Sequence, residues 1–496
     1  MFSTHRLDIG AETGPSDPRV LLLAPSVGLG GGVERYLAAV EERLRAGGAL
    51  VHRVDLHSPA RPHDPWARQR FAASALRVAA RLAPLDAVLT GGPGLIPVAA
   101  AAVVVGRARR GPVMVCDADG IRARWFGRAL LAHRRALFPL TTGSYSAGAL
   151  ASLGAVPVLR PGVTSAWRSA LLAAGARTSR DSAAPRTPTL LTVLPFAVDS
   201  TDADAADAAD AAGGAGGAHG AGDGLPTLLA ALRVVRQAVG TVRLVVAVRG
   251  RAPEAARAAV AAAGDAELLE SPDDSRLAAL YAGADLFVLC TGARPGRGGA
   301  DHARVLTEAQ LAGCPVVGPV RGDARDAYVD GATGVTPGDE SPAALAAVLT
   351  DLLADRARLA RMRRRAAEWA RMATEPAEHT RAVFAAVLGT LPAAPAPFPA
   401  AAGVPSDGPE RWAMAPASAH SAAMSPVPAS GGVARPPTHR AATRVWPEPA
   451  GAEPRRVFWS TVPPARVAHE VEADPDYAEL SRGWSEDIEV DDLRIR

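Results

Sequence analysis

One pattern recurs along most of this chain: a short strand-like run, mostly apolar and continuously so at 20–24, a turn marked by glycine or proline, and then a segment with helical spacing. The runs fall into two series. Residues 20–24, 50–56, 86–90, 113–116 and 140–143 form the first, and 190–194, 242–248, 267–269, 285–290 and 314–318 the second. Apolar runs without alternation belong to strands covered on both faces. Strands joined through helix-length connections pair in parallel. The pattern therefore predicts two successive α/β units, each a parallel sheet with helices on both sides.

The first unit opens with strand 20–24, a glycine-rich loop, and a helix over 33–46. That helix places Val33, Leu37, Val40 and Leu44 on one face before Gly47-Gly48 stops it. The loop Gly28–Gly32 is able to aim backbone N–H groups at an anion beside the helix start. It does not match G-x-G-x-x-G, and an ordinary strand-to-helix turn is the competing reading. Residues 60–84 read as a basic helix, 95–109 as an alanine-rich helix, 122–138 as an arginine-rich helix and 146–153 as a short one.

The most informative stretch of the second unit is 300–317. Residues 303–312 have helical spacing, with Val305, Leu306, Ala309 and Ala312 on one side and Arg304, Glu308 and Gln310 nearer the other. Gly313 is a helix stop, and Cys314-Pro-Val-Val-Gly reads as a buried strand. A carboxylate one turn inside a helix that follows a loop is how open α/β sheets present a ligand site.

These readings divide the chain. Residues 1–18 form a disordered lead, 19–165 a first Rossmann-like domain, 166–188 a hinge, and 189–373 a second Rossmann-like domain. An Asp/Ala/Gly insertion at 199–223 is too poor in apolar residues to fold. A terminal helix occupies 374–391, an Ala/Pro-rich linker 392–454, and an acidic, aromatic-containing tail 455–496. In the tail, residues 470–492 carry ten acidic side chains against Arg482 alone, and read either as a solvated run or as a docking segment.

Composition narrows the chemistry. There is no lysine in the sequence, so arginine must do any anion binding. The net charge of +3 gives no sign of a nucleic-acid partner. Cys116, Cys290 and Cys314 are widely spaced, and form neither a disulfide framework nor a metal knuckle. No metal or cofactor is expected. The N-terminal residues lack the apolar core of a signal peptide, and the run 94–106 is too short to span a bilayer. A cytoplasmic location is expected, with peripheral contact to the inner face of the membrane through basic patches.

The order of the motifs resembles the GT-B glycosyltransferases, and within them the retaining family-4 type. Gly30-Gly-Gly-Val-Glu-Arg-Tyr is similar to that family's N-terminal glycine loop, and Pro161-Gly-Val to its segment before the hinge. Residues 225–232, Ala284-Asp285-Leu-Phe-Val and Asp330-Gly-Ala-Thr-Gly-Val follow in the family's order. Thr307-Glu308-Ala-Gln-Leu-Ala-Gly-Cys-Pro-Val-Val is the most specific match. The resemblance covers about residues 19–388.

It implies two domains facing across a cleft, with a nucleotide-sugar donor on the second and a glycan, lipid or small-molecule acceptor on the first. Glu308 is then the ribose-binding carboxylate. Gly30, Gly31, Gly32, Arg249, Arg297, Arg304, Val305 and Leu306 are the further donor-binding candidates, and Asp117 and Asp301 the catalytic ones. Arg251 and Arg294 are alternative diphosphate partners, and His302 an alternative polar donor-site group.

The chain also departs from the family. Ala300 stands where a sugar-contacting carboxylate is usual. The family's diphosphate arginine and lysine are missing near 194–195 and 223–224, and Cys116-Asp117 replaces a customary histidine. Two functions follow. One is sugar transfer from a nucleoside diphosphate with retention. The other is a catalytically degenerate GT-B scaffold that serves as partner or regulator of a glycosyltransferase, with residues 455–496 as a protein-docking segment. A nucleotide-sugar epimerase of the same architecture is a weaker third reading.

Overall fold

The computed structural model describes residues 17–28, 32–58, 65–116, 137–150, 156–178, 187–195, 224–289 and 300–390. Residues 122–136 of the helix expected over 122–138, the insertion, the loop before residue 300, the linker and the tail lie outside the described residues, and Phe138, expected at the helix end, instead starts a strand.

The first sheet contains β1 (Arg19–Ser26), β2 (Leu50–His57), β3 (Ala87–Thr90), β4 (Arg110–Cys116) and β5 (Phe138–Thr141) in the order β2-β1-β3-β4-β5. Every pairing in it is parallel. Val20, Leu22 and Ala24 face one helical layer while Leu21 and Leu23 face the other. This is why the run reads as continuously apolar. Helix α1 (Gly32–Ala46) covers one side with Tyr36, Leu37, Val40 and Leu44. Helices α2 (Ala67–Leu82) and α3 (Ile96–Val105) cover the other with Phe71, Ala75, Ala79, Ala99 and Ala102. A short helix, α4 (Ser144–Ala149), follows β5.

Helix α5 (Ser165–Thr178) occupies the first part of the segment read as a hinge. Its Trp167, Leu171 and Ala174 are built into the core of the second domain. The crossing between domains is therefore the shorter piece around Leu159–Thr164, which lies in no helix or strand.

The second sheet has the order β11-β10-β9-β6-β7-β8, again all parallel. Its strands are β6 (Thr189–Pro195), β7 (Arg243–Arg249), β8 (Ala266–Glu270), β9 (Leu286–Val288), β10 (Val316–Val317) and β11 (Gly334–Val335). Helices α6 (Gly224–Val239), α7 (Glu254–Ala262), α8 (Asp274–Gly283) and α9 (Ala300–Leu311) alternate with them. Gly313 ends α9 as its sequence position demands. It adopts φ +82°, its N–H donates to Gln310 at 2.9 Å, and the Cys314 N–H donates to Ala309 at 2.9 Å. A left-handed residue at this point satisfies carbonyls the helix would otherwise orphan. Cys314 is buried, and its thiol donates to the Pro315 carbonyl at 3.6 Å.

The region 341–371 forms two helices, α10 (Pro342–Ala354) and α11 (Arg356–Ala373). The chain then turns back. Helix α12 (Pro376–Leu388) inserts Val383, Phe384, Ala386 and Val387 into the core of the first domain, beside Tyr36 and Leu37. Gly47 makes this possible, since a Cβ there would lie 2.2 Å from the Phe384 ring.

Candidate functional site

In parallel sheets the carboxyl ends of the strands and the helix starts that follow them form the ligand-binding edge. Here those edges bring α1 and α9 into contact with each other. The glycine-rich loop that precedes α1 is only partly described. Gly28 takes φ +76°, and its N–H donates to Glu34 Oε1 at 2.6 Å, while the Ser26 hydroxyl donates to Glu34 Oε2 at 3.0 Å. A carboxylate from the first turn of α1 thus occupies a backbone donor that the sequence had offered to an anionic ligand. Gly32 is buried at the start of α1. Gly30 and Gly31 lie outside the described residues.

On α9, the Val305 and Leu306 side chains join the second-domain core. Glu308 is 1% exposed and Arg304 3%. One turn apart, they form an ion pair, and the Tyr281 hydroxyl donates to Glu308 Oε2 at 3.1 Å. The carboxylate assigned to a ribose is therefore held inside the domain by a guanidinium and a phenol. Such a pair loses several kcal/mol of support when only one partner is removed, because the other charge stays buried. Asp301 and His302 fall in the first turn of α9 and Arg249 at the end of β7, but their side chains are outside the description. Arg251 is exposed just beyond β7. Asp117, Arg294 and Arg297 lie outside the described residues.

A second constellation was not singled out from the sequence. The 3-10 turn Asp323–Ala327 of the second domain presents two carboxylates to the start of α4 in the first. Asp326 accepts from the Ser144 N–H at 2.7 Å and from its hydroxyl at 2.6 Å. Asp323 accepts from the Ser146 N–H at 2.8 Å, from Thr142 Oγ1 at 3.3 Å, and from the Ser146 hydroxyl. Unsatisfied N–H groups at a helix start favour negative charge, so α4 is capped across the domain boundary. Gly143 permits the approach, since a Cβ there would sit 2.5 Å from the Asp323 side chain. Burial pushes the Asp323 carboxyl up to about 7, against the hydrogen bonds from Ser146 and Thr142 that favour its ionised form. Gln310 ties the turn to α9, its amide donating to the Ala327 carbonyl at 2.6 Å.

The chain crossings lie side by side at one end of the boundary. Ser165 starts α5 by donating its N–H to Glu42 Oε1 at 2.9 Å, and Arg43 donates to the same Ser165 hydroxyl at 3.1 Å. His379 of α12 is buried against Gly162, where a Cβ would meet its ring at 2.0 Å. Burial, aided by the nearby Arg43, lowers the His379 imidazole to about 4. Arg168 reaches from α5 to Thr374 Oγ1 at 3.1 Å. Arg35 of α1 and Asp274 of α8 add an exposed ion pair at 3.5 Å across the same boundary.

A cavity of about 730 Å³, lined by Thr189, Arg243, Glu267 and Arg276 among others, opens at the amino ends of β6–β8. It is at the opposite end of the second sheet from the α1–α9 junction. Among the described residues, no helix is long and apolar enough to cross a membrane.

Three comparisons bear on this arrangement. Residues 214–355, which include α9 and the Asp323–Ala327 turn, match the family described as Glycosyl transferases group 1. No curated protein sequence matches the chain. Anabaena HepE, solved in complex with UDP-glucose, superposes with a TM-score of 0.54 at 16% identity, over 74% of this chain and 98% of HepE. Sucrose-phosphate synthase from Thermosynechococcus elongatus gives 0.51 at 15% identity, over 73% and 96%. WaaG, a glycosyltransferase involved in lipopolysaccharide biosynthesis, gives 0.51 at 15%, over 74% and 98%. The fold is GT-B, with two parallel-sheet domains.

Proposed function

We propose that this chain is a glycosyltransferase that moves a sugar from a nucleoside-diphosphate donor to a glycan, lipid or small-molecule acceptor, with retention. The observation that carries the reading is the group 1 family match over 214–355, because it falls on the half that a GT-B enzyme uses for its donor. HepE, a neighbour of the same fold, is described with UDP-glucose bound.

In this reading the donor lies at the junction of α1 and α9. Glu308 takes the ribose hydroxyls, and Arg304 exchanges its carboxylate partner for a diphosphate, with Arg249, Arg251, Arg294 and Arg297 as further cations. The backbone around Gly30–Gly32 and the start of α9 face the phosphates. Asp117 and Asp301 stand nearest the sugar. A leaving diphosphate gains charge as the glycosidic bond breaks, and fixed guanidinium and N–H groups stabilise that charge. No resident metal or cofactor takes part. The protein works in the cytoplasm, against the inner face of the membrane if its acceptor is a lipid.

Titration calorimetry with UDP- and GDP-sugars tests the proposal. Glu308→Gln is the informative variant. It keeps the shape of the Tyr281 contact and should weaken donor binding by about tenfold or more, the scale of one lost charged hydrogen bond. Binding unchanged by Glu308→Gln would place the donor elsewhere.

A second reading, a degenerate GT-B scaffold that partners or regulates a glycosyltransferase, is favoured by one specific observation. Glu308 and the Gly28 N–H, two groups expected to face a ligand, are both satisfied within the chain. Absence of binding to every nucleotide-sugar, with an intact thermal transition, would leave this reading standing and remove the first.

A further inference from the structure

The outer surface of the first domain joins two helices whose exposed sides differ in kind. Helix α2 turns Arg68, Arg70, Arg77 and Arg81 outward and contains no acidic residue. Helix α3 packs beside it on the same side of the sheet. It has no charged residue and leaves Pro97, Ala101, Val104 and Val105 exposed, Val104 by 76%. Trp66, 63% exposed, leads into α2. Exposed Arg107 and Arg109 follow α3, and Arg109 pairs with Asp86. Asp86 is the only acid in residues 66–110. A row of cations beside a row of exposed apolar side chains selects for a partner that is both anionic and apolar.

The chain itself supplies a segment of that chemistry. Residues 470–492 interleave their ten acids with Val471, Tyr477, Leu480, Trp484, Ile488 and Val490. They lie outside the described residues, but the place where the described chain ends bears on their reach. After α12, Gly389 lies against the Arg110 guanidinium, which also donates to the Ala386 carbonyl at 3.3 Å. Arg110 opens β4, directly after the exposed Arg107 and Arg109. The chain thus leaves the fold on the α1 side of the first sheet, beside the start of β4, and reaches the α2–α3 surface by passing the sheet's edge next to residues 107–110. The distance in sequence to Glu470 is about 80 residues, whose fully extended reach of up to about 260 Å far exceeds the width of two helices. Tethering also gives the segment a high effective concentration at that surface.

We propose that residues 470–492 dock on the α2–α3 surface of their own chain, their carboxylates on the α2 arginines and their apolar side chains beside Val104 and Val105. Docking there covers the arginines of α2 and the exposed valines of α3, on the opposite side of the first sheet from α1.

The test uses the full chain with a photo-activated benzophenone amino acid in place of Ala73, which is exposed on α2 among the arginines. A second version carries it in place of Ala347, exposed on α10 of the other domain. At low salt, intramolecular cross-links from position 73 should map within 470–492 and exceed those from position 347 by about fivefold or more. They should fall by about the same factor at 1 M salt, where the screening length is about 3 Å. The double variant Arg77→Glu, Arg81→Glu should lower them without moving the thermal transition by more than about 2 °C, since both sites are exposed. Equal cross-linking at the two positions overturns the proposal. So do cross-links that join two chains, which would make a second copy the occupant. Absence of tail cross-links while the full chain floats with phosphatidylserine vesicles would also overturn it, in favour of a lipid surface.

Discussion

Asp323 and His379 are two fully buried titratable groups whose protonation preferences oppose each other. Burial raises the Asp323 carboxyl to about 7 and lowers the His379 imidazole to about 4. A carboxyl with a raised value contributes stability that is present below its unfolded value near 3.8 and lost as pH rises towards 7. An imidazole with a lowered value contributes stability that is present above 6.5 and lost as pH falls towards 4. Over the shared window the two slopes offset, at up to about 1.4 kcal/mol per pH unit each. Asp323→Asn should therefore expose the histidine limb, with the melting temperature dropping more steeply than in the parent between pH 6.5 and 4. His379→Gln should do the reverse and gain stability relative to the parent as pH falls from 7. A scan of melting temperature against pH for the three proteins checks both. At Glu308, Ala should cost about 3–5 kcal/mol by stranding the Arg304 charge, and Gln distinctly less, as chemical denaturation would measure. None of this was legible in the sequence. Residues 323–328 read as a short helix, which they largely are, but nothing local says what Asp323 and Asp326 face, and their partners Ser144 and Ser146 lie some 180 residues earlier.

Elements were far more legible than contacts, because local patterning determines them. The apolar spacing of α1 and α9, the Gly47-Gly48 and Gly313 stops, and the unbroken apolar strands all state their structure within a few residues. Boundaries shifted at helix starts: α9 begins at Ala300 rather than 303, and α4 at Ser144, where carboxylates of the other domain cap it. Helix α12 was visible as a helix, but its docking site was not, since Phe384 and Val387 look like any apolar helix face. Phe384→Ala should cost about 3–5 kcal/mol, a large cavity in a core that belongs to the other end of the chain. Gly162→Ala should cost about 1–3 kcal/mol, because its new methyl meets the enclosed His379 ring rather than a side chain free to move. Denaturant melts of the two variants, compared with an exposed control such as Ala347→Ser, separate these effects from a general loss of stability.

At the scale of the whole molecule, two domains are joined by a double chain crossing at one end and by the Asp323–Asp326 clasp on α4. Gln310 connects that clasp to α9, so the helix proposed for donor binding and the interdomain contact share a rigid link. Removing the hydroxyls with Ser144→Ala and Ser146→Ala should loosen the pair of domains, with a larger radius of gyration by solution scattering and unchanged helix content by circular dichroism. An unchanged radius would mean that the crossings alone set the arrangement. The two-domain α/β plan followed from the sequence because each strand run announces its own sheet. The segment read as a hinge became α5, since Trp167 and Leu171 bury themselves against strands that begin later in the chain.

The return of α12 has a consequence for the order in which the molecule is made. The first domain's core holds residues from 20 to 51, from 87 to 159, and then from 383 to 387. A ribosome therefore releases the whole second domain before the helix that closes the first. Until then Tyr36 and Leu37 lack the cover Phe384 gives them, and the gap at Gly47 stays open. Contacts this distant in sequence slow folding, so the half that begins first is completed last, and the nascent chain carries an uncovered apolar surface through most of its synthesis.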